Sequence, residues 1–284
     1  HSYWGRSEPT VRSFEFWSTQ PAQVLRRPAF DRVLIAAAKL AGVEVVDSCS
    51  ISGCDWDGSR WHVIGLRSGS EFRLTASILI EAVGARTRSL ALADITRLFF
   101  DNQVCLSIET GTASNSEGAI VETCALGWWY VCPIERGRQI VSLFTDADLL
   151  AGPNRETFIY DQLAKTEFVA KHIVWHEHDS VRVSNARTSA RSVLWRNRWI
   201  PAGDAAFSLD PVSGTGIERA LTDGMAVAEA VSSCVADGDE GRLRSHAVQT
   251  AAAFQQSLLQ RRAIYAMERR WKDHPFWQRR SYVH

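Results

Sequence analysis

Residues 199–217, WIPAGDAAFSLDPVSGTGI, constrain the fold more than any other stretch of the chain. The apolar run Trp199-Ile200-Pro201-Ala202 stops abruptly at Gly203-Asp204. Eight residues later comes a small-residue loop, Val212-Ser213-Gly214-Thr215-Gly216, and helical patterning starts at Ile217. This is the pattern of a buried strand end and a helix start that both face a ligand. Asp204 offers one carboxylate suited to sugar hydroxyls, and the glycines let backbone N–H groups approach a flat or anionic group without side-chain obstruction. An aspartate that merely caps a turn would look the same in isolation. The combination of strand, Gly-Asp, Asp210-Pro211, Gly-x-Gly and long helix is what carries the ligand reading. Taking GTGIER as a Rossmann fingerprint fails, because Arg219 holds the third glycine position and a loop, not a strand, precedes Gly214.

At 284 residues the chain is one large domain or two intimately joined ones, and 45% hydrophobic content supports a real core. Thirty-two basic residues balance 32 acidic ones, which argues against a nucleic-acid binder. No apolar stretch approaches a membrane span, and HSYWGRSEPT does not read as a signal peptide. The six cysteines (49, 54, 105, 124, 132 and 234) are scattered without C-x-x-C, so reduced thiols and a cytoplasmic location are expected. The 11 tryptophans are expected mostly in the core, with a few lining a pocket for a flat substrate.

Residues 1–25 read as an irregular entry. Pro28 opens a helix over about 28–41, with Phe30, Val33, Leu34, Ala37 and Leu40 as its apolar face and Gly42 at its end. VEVVD (43–47) reads as a buried strand. The runs 61–66 and 71–75 flank a hairpin turn at 67–70, Asp57-Gly58 marks the turn before them, and Ser77–Ile80 is an apolar strand. Alternating strands at 104–109, 119–124, 128–133 and 139–144 predict an inserted antiparallel sheet. Helices are expected at about 155–170, 216–235 and 240–270, with strands at 179–186 and 198–202. The predicted fold is therefore α/β: a Rossmann-like domain, with its first βαβ unit missing, over 1–94 and 191–284, an inserted antiparallel-sheet domain over 95–190, and C-terminal helices.

The 203–217 segment resembles the second flavin-contact motif, roughly G-D-A-A-x-x-x-D-P-x-x-G-x-G-I, of FAD-dependent aromatic hydroxylases, flavin-dependent halogenases and geranylgeranyl-reductase-like enzymes. The resemblance implies FAD as cofactor, with Gly203, Asp204, Pro211, Gly214, Thr215, Gly216 and Ile217 as its contacts. The helix start would then stabilise the anionic reduced flavin. Ile78–Arg86 resembles the D-A-T-G-R-x-S strand end of the same families, with Glu81 in place of Asp and Gly84 as the point of close backbone approach. Arg27-Pro28-Ala29-Phe30-Asp31 resembles the R-x-x-F-D helix start, which implies a cofactor role for Arg27; a plain surface arginine reads equally well, and Arg26 is an alternative.

In ETCALGWWYVCP (122–133), three consecutive aromatics put Trp128 and Tyr130 on one strand face and Trp129 on the other. Sheet packing accounts for at least one of them; a substrate-pocket wall is the functional reading for Trp128 and Trp129. Halogenases carry W-x-W-x-I-P here, which this chain half matches. The G-W-W-Y form is more similar to flavoprotein monooxygenases that modify tryptophan in a partner protein during tryptophylquinone maturation. The implied activity is hydroxylation of an aromatic, indole-type group through a flavin C4a-hydroperoxide, on a small molecule or a protein-borne tryptophan. An external flavin reductase or NAD(P)H would be the electron source. Glu122 and then Tyr130 are the candidate catalytic groups. Halogenation is the alternative, and a cofactor-free interaction module the third reading. His172, His176 and His178 lack a further ligand at fixed spacing, so no metal is expected, and no G-x-S-x-G supports a serine triad. The families also begin with a strand, G-x-G-x-x-G and a helix. This sequence contains no such unit, so a preceding segment or a separate chain is expected to supply it.

Overall fold

The computed structural model describes residues 1–6, 8–11, 24–85, 89, 92, 94–113, 118–135, 137–152, 154–174 and 180–281. In chain order the elements are β1 (Ser2–Tyr3), α1 (Arg27–Leu40), β2 (Cys49–Trp56), β3 (Trp61–Arg67), β4 (Ser70–Ala76), β5 (Leu79–Glu81), β6 (Arg97–Phe99), β7 (Gln103–Thr112), β8 (Ile120–Cys124), β9 (Gly127–Glu135), β10 (Arg138–Asp146), α2 (Arg155–Leu163), β11 (Ile173–Val174), β12 (Arg182–Asn185), β13 (Ser189–Arg191), β14 (Trp199–Pro201), β15 (Phe207–Ser208), α3 (Gly216–Asp237), α4 (Gly241–Ala266) and α5 (Pro275–Ser281). The chain divides into two compact units. One gathers residues 1–45, 102–186 and 262–284; the other gathers 46–101 and 187–261.

The first unit is built on a seven-stranded sheet of order β1-β8-β9-β10-β7-β11, with β12 also on β7. Its long strands β7, β9 and β10 pair antiparallel, with Ser142 opposite both Tyr130 and Ser107. The period-2 patterning of the sequence explains why one face takes Leu106, Trp129, Val131 and Leu143 into the core, where Phe158, Ile159 and Leu163 of α2 pack against them. Asn154 caps α2 by accepting the Thr157 N–H at 2.9 Å.

Helix α2 is shorter than the expected 155–170, and a specific competitor ends it. The N–H groups of Glu167, Phe168 and Val169 donate to the Glu122 carboxylate, so these residues leave the helical ladder. The expected strand at 43–47 is also absent. A strand exists only as half of a ladder, and among the described residues no neighbour pairs with this one. Val43 stays exposed, as do Val33, Leu34 and Leu40 of α1.

In the second unit β2, β3 and β4 form an antiparallel meander. The two-residue turn Ser68-Gly69 has positive φ at both positions, which is what a tight right-twisted hairpin requires. Beside the meander, β5 and β14 form a parallel pair in which Glu81 lies opposite Pro201. Helices α3 and α4 close over Ile200 with Val227, Ala230, Cys234 and Leu243. The mixed α/β class with an antiparallel sheet and C-terminal helices thus holds.

Candidate functional site

The 203–217 segment lies wholly in the second unit, at the end of β14. Gly203 begins a single 3-10 turn, Gly203–Ala205, with φ of 58°. An added Cβ would sit 3.7 Å from Ala220, an ordinary contact, so the left-handed backbone and not space dictates glycine. Three groups hold this turn. The Gly203 N–H donates to Asp223 Oδ2 at 2.5 Å. Arg97 Nη2 donates to the carbonyls of Asp204 and Ala205 at 2.7 and 2.8 Å, and its Nη1 donates to Ser189 Oγ. Arg219 Nη2 donates to Asp204 Oδ1 at 2.6 Å and to the Phe207 carbonyl at 2.9 Å.

These groups carry the electrostatics of the turn. Burial, with Arg191 nearby, lowers the Arg97 guanidinium to about 10. For Asp223, burial acts upward, but the His246 hydrogen bond, the Gly203 N–H and the Arg219 charge outweigh it and hold the carboxyl below its usual range. The Asp204 side chain remains 47% exposed. Among the described residues no donor reaches its Oδ2, so half of the carboxylate is unspent.

The loop that follows is a second 3-10 turn starting at Pro211, capped by Asp210, whose carboxylate accepts the Val212 N–H and also pairs with Arg261. Gly214 is left-handed at φ 66°. A Cβ added at Gly214 or Gly216 would meet nothing within 4 Å. Thr215 precedes α3 without capping it through its side chain, which leaves the leading N–H groups of that helix, Gly216 and Ile217 among them, without intrahelical partners. Gly84 has a φ of 71°, and a Cβ added there would meet nothing within 4 Å among the described residues. Upstream of it Glu81 is buried and fully engaged. It accepts from Arg191 Nη2 at 3.0 Å, Trp199 Nε1 at 3.0 Å and Ser89 Oγ at 2.6 Å. The glycines are open, the helix start is bare and the carboxylate is half free. That donor and acceptor set fits a flavin with its ribityl chain.

The remaining sequence candidates lie in the first unit. Arg27 opens α1 and pairs with Asp31 at 3.3 Å on the surface; its neighbour Arg26 pairs with Glu135 at 2.7 Å. Glu122 is buried, and its two oxygens accept three backbone N–H groups at 2.7, 3.1 and 2.7 Å. That places it as an anchor for 167–169. Burial and the adjoining Cys132 push the Tyr130 phenol up, so it stays a proton donor at neutral pH. Trp129 is completely buried. Trp128 is buried too, stacks on Phe144 at 4.1 Å and donates from Nε1 to Tyr265 Oη at 3.1 Å. Neither indole offers surface to a ligand as packed here. His172 bonds the Phe168 carbonyl through Nδ1 at 2.9 Å, whereas His176, His178 and Arg86 lie outside the described residues.

Sequence reasoning passed over Arg97, Asp223 and Arg219. Arg219 and Asp223 stand four apart on α3, a spacing that puts both on the helix face toward Gly203. Arg97 had no local signal, since its partners are more than 90 residues away.

Comparison with known proteins now bears directly on this geometry. A family model described as FAD binding domain matches residues 12–262. The chain belongs to the FAD binding domain family. FAD is therefore its cofactor. Over 98% of its length the chain is 27% identical to LodB of Marinomonas mediterranea, an FAD-dependent oxidoreductase by provisional name, and spans 76% of that protein. Among solved structures it is similar to the myxobacterial chondrochloren halogenase CndH (TM-score 0.82, 21% identity, all of this chain and 70% of that one). It is also similar to the flavin-dependent halogenase CmlS (0.79, 20%, 92% and 50%). A third is the peptidyl tryptophan dihydroxylase QhpG, which is essential for tryptophylquinone cofactor biogenesis (0.74, 23%, 98% and 62%). This chain thus spans half the length of CmlS and under two thirds of QhpG. Among its described residues no helix is long and apolar enough to cross a membrane.

Proposed function

We propose that this FAD-binding chain hydroxylates an aromatic group of indole type, most simply a tryptophan borne by a partner protein, with electrons delivered by an external flavin reductase or NAD(P)H. The observation that carries the reading is the site at 203–217. A half-free carboxylate, two glycines facing open space and an uncapped helix start stand within one segment. The G-W-W-Y strand and the likeness to QhpG favour tryptophan over other aromatics.

Bound FAD would supply the oxygen-activating redox chemistry. The chain's own contribution is binding and orientation. Asp204 Oδ2 would accept from ribityl hydroxyls. The backbone of Gly214, Thr215, Gly216 and Ile217 would hold the flavin, where the positive end of α3 favours negative charge. Gly84 gives the dinucleotide close passage, and Pro211, with its fixed φ, presets the loop.

The test is product mass. The protein is incubated with FAD, a flavin reductase, NADH, dioxygen, chloride and a tryptophan-containing peptide. Incorporation of oxygen supports the reading. Incorporation of chlorine replaces it with halogenation, and an unmodified peptide beside complete flavin turnover refutes tryptophan as the substrate.

A further inference from the structure

We propose that Arg219 is a positioning residue of the flavin site: it orients the Asp204 carboxylate so that Oδ2 faces the ribityl hydroxyls. The inference rests on the reading of Asp204 as a flavin contact.

An aspartate whose side chain is 47% exposed has little packing to fix its rotamer. Arg219 supplies what packing does not. Its Nη2 holds Oδ1 at 2.6 Å. The same nitrogen donates to the Phe207 carbonyl at 2.9 Å, and the guanidinium lies 4.2 Å from the Phe207 ring centroid. The cation is thereby tied to the backbone just beyond the turn whose carboxylate it holds. It issues from the first turn of α3, so one side chain fixes the strand end and the helix start, the two halves of the motif, in a single geometry. Planar guanidinium donors suit this better than a lysine ammonium.

A second observation separates this role from simple fold reinforcement. Arg219 is only 15% exposed, and its Nε and Nη1 are buried without a hydrogen-bond partner. Unpartnered donors in an interior work against stability, and apolar replacements of buried ion pairs are commonly neutral or stabilising. An apolar side chain at 219 removes that cost and leaves the half-exposed Asp204 carboxylate to water. It would not hold Asp204.

The experiment is a double-mutant cycle read by flavin-fluorescence quenching on titration with FAD, together with the thermal midpoint of the unliganded protein. Arg219→Met is expected to weaken FAD about tenfold while the unliganded midpoint stays within about 2 °C of wild type. Arg219→Lys should recover part of the affinity. In an Asp204→Ala background, Arg219→Met should add nothing. A lowered midpoint with unchanged affinity would reduce Arg219 to a structural residue. A full tenfold loss in the Asp204→Ala background would show that Arg219 acts without Asp204, and either result overturns the proposal. Unchanged affinity in Asp204→Ala alone would instead sink the underlying reading of Asp204, independently of what Arg219 does.

Discussion

Two carboxylates show how the two units differ. Glu122, on β8, is buried and its oxygens accept three backbone N–H groups; Asp204, beyond β14, is half exposed with one oxygen held and the other open. The same contrast runs through their surroundings. Around Glu122, Trp129 is fully buried and Trp128 is buried and stacked on Phe144. Around Asp204 the glycines at 214 and 216 face open space. Both segments are rich in chemistry-bearing residues, and in sequence both read as functional. What separates the two carboxylates is exposure: Glu122 is buried on three backbone donors, whereas Asp204 keeps one oxygen toward solvent.

The comparison breaks first at Glu122. Glu122→Ala should cost about 3 kcal/mol or more in urea unfolding, because three buried N–H groups lose their acceptor. Glu122→Gln should cost less, since it keeps one oxygen in place. Full stability in Glu122→Gln together with abolished hydroxylation would move Glu122 into the reactive machinery and erase the contrast.

A second test concerns pH. Asp223 has its folded pKa held below the usual carboxylate value, so its stabilising contribution is present above the unfolded value and fades as pH falls through the folded one. Asp223→Asn keeps an oxygen for the Gly203 N–H but removes the titration. It should cost about 1 kcal/mol at pH 7, with the gap to wild type shrinking toward pH 3. A gap constant across that range would remove the charge from the account of how the Gly203 turn is held.

The smallest effect sharpens the open side. Gly216→Ala meets no atom within 4 Å and has no positive φ, so the unliganded protein should gain a few tenths of a kcal/mol, less than the roughly 1 kcal/mol of a helix interior. FAD affinity should nevertheless fall, because the methyl group intrudes where the flavin approaches. A variant that gains stability and binds FAD as wild type does would show that Gly216 serves the backbone alone.

Much of the fold was legible in the sequence. The alternation of β7 to β10 announced an antiparallel sheet, Pro28 and Gly42 bracketed α1, and the β14–loop–α3 sequence stood out without any partner. These signals are local, because period and turn chemistry act over a few residues. The strand at 43–47 misled for the opposite reason: an apolar run has strand character, but pairing is supplied by another segment. The length of α2 depended on Glu122, more than 30 residues upstream.

The sequence by itself determined the kind of elements and singled out Gly203 through Ile217 as the candidate flavin segment, since glycine conformations and an Asp at a strand end are properties of neighbouring residues. Only the tertiary structure decided which polar groups are already satisfied. It sealed Trp128 and Trp129 and closed Glu122. It also brought Arg97 to the carbonyls of Asp204 and Ala205, and Arg219 to the Asp204 carboxylate. Whether a carboxylate is an anchor or a ligand contact depends on which donors reach it across the fold, and no local pattern records those distances.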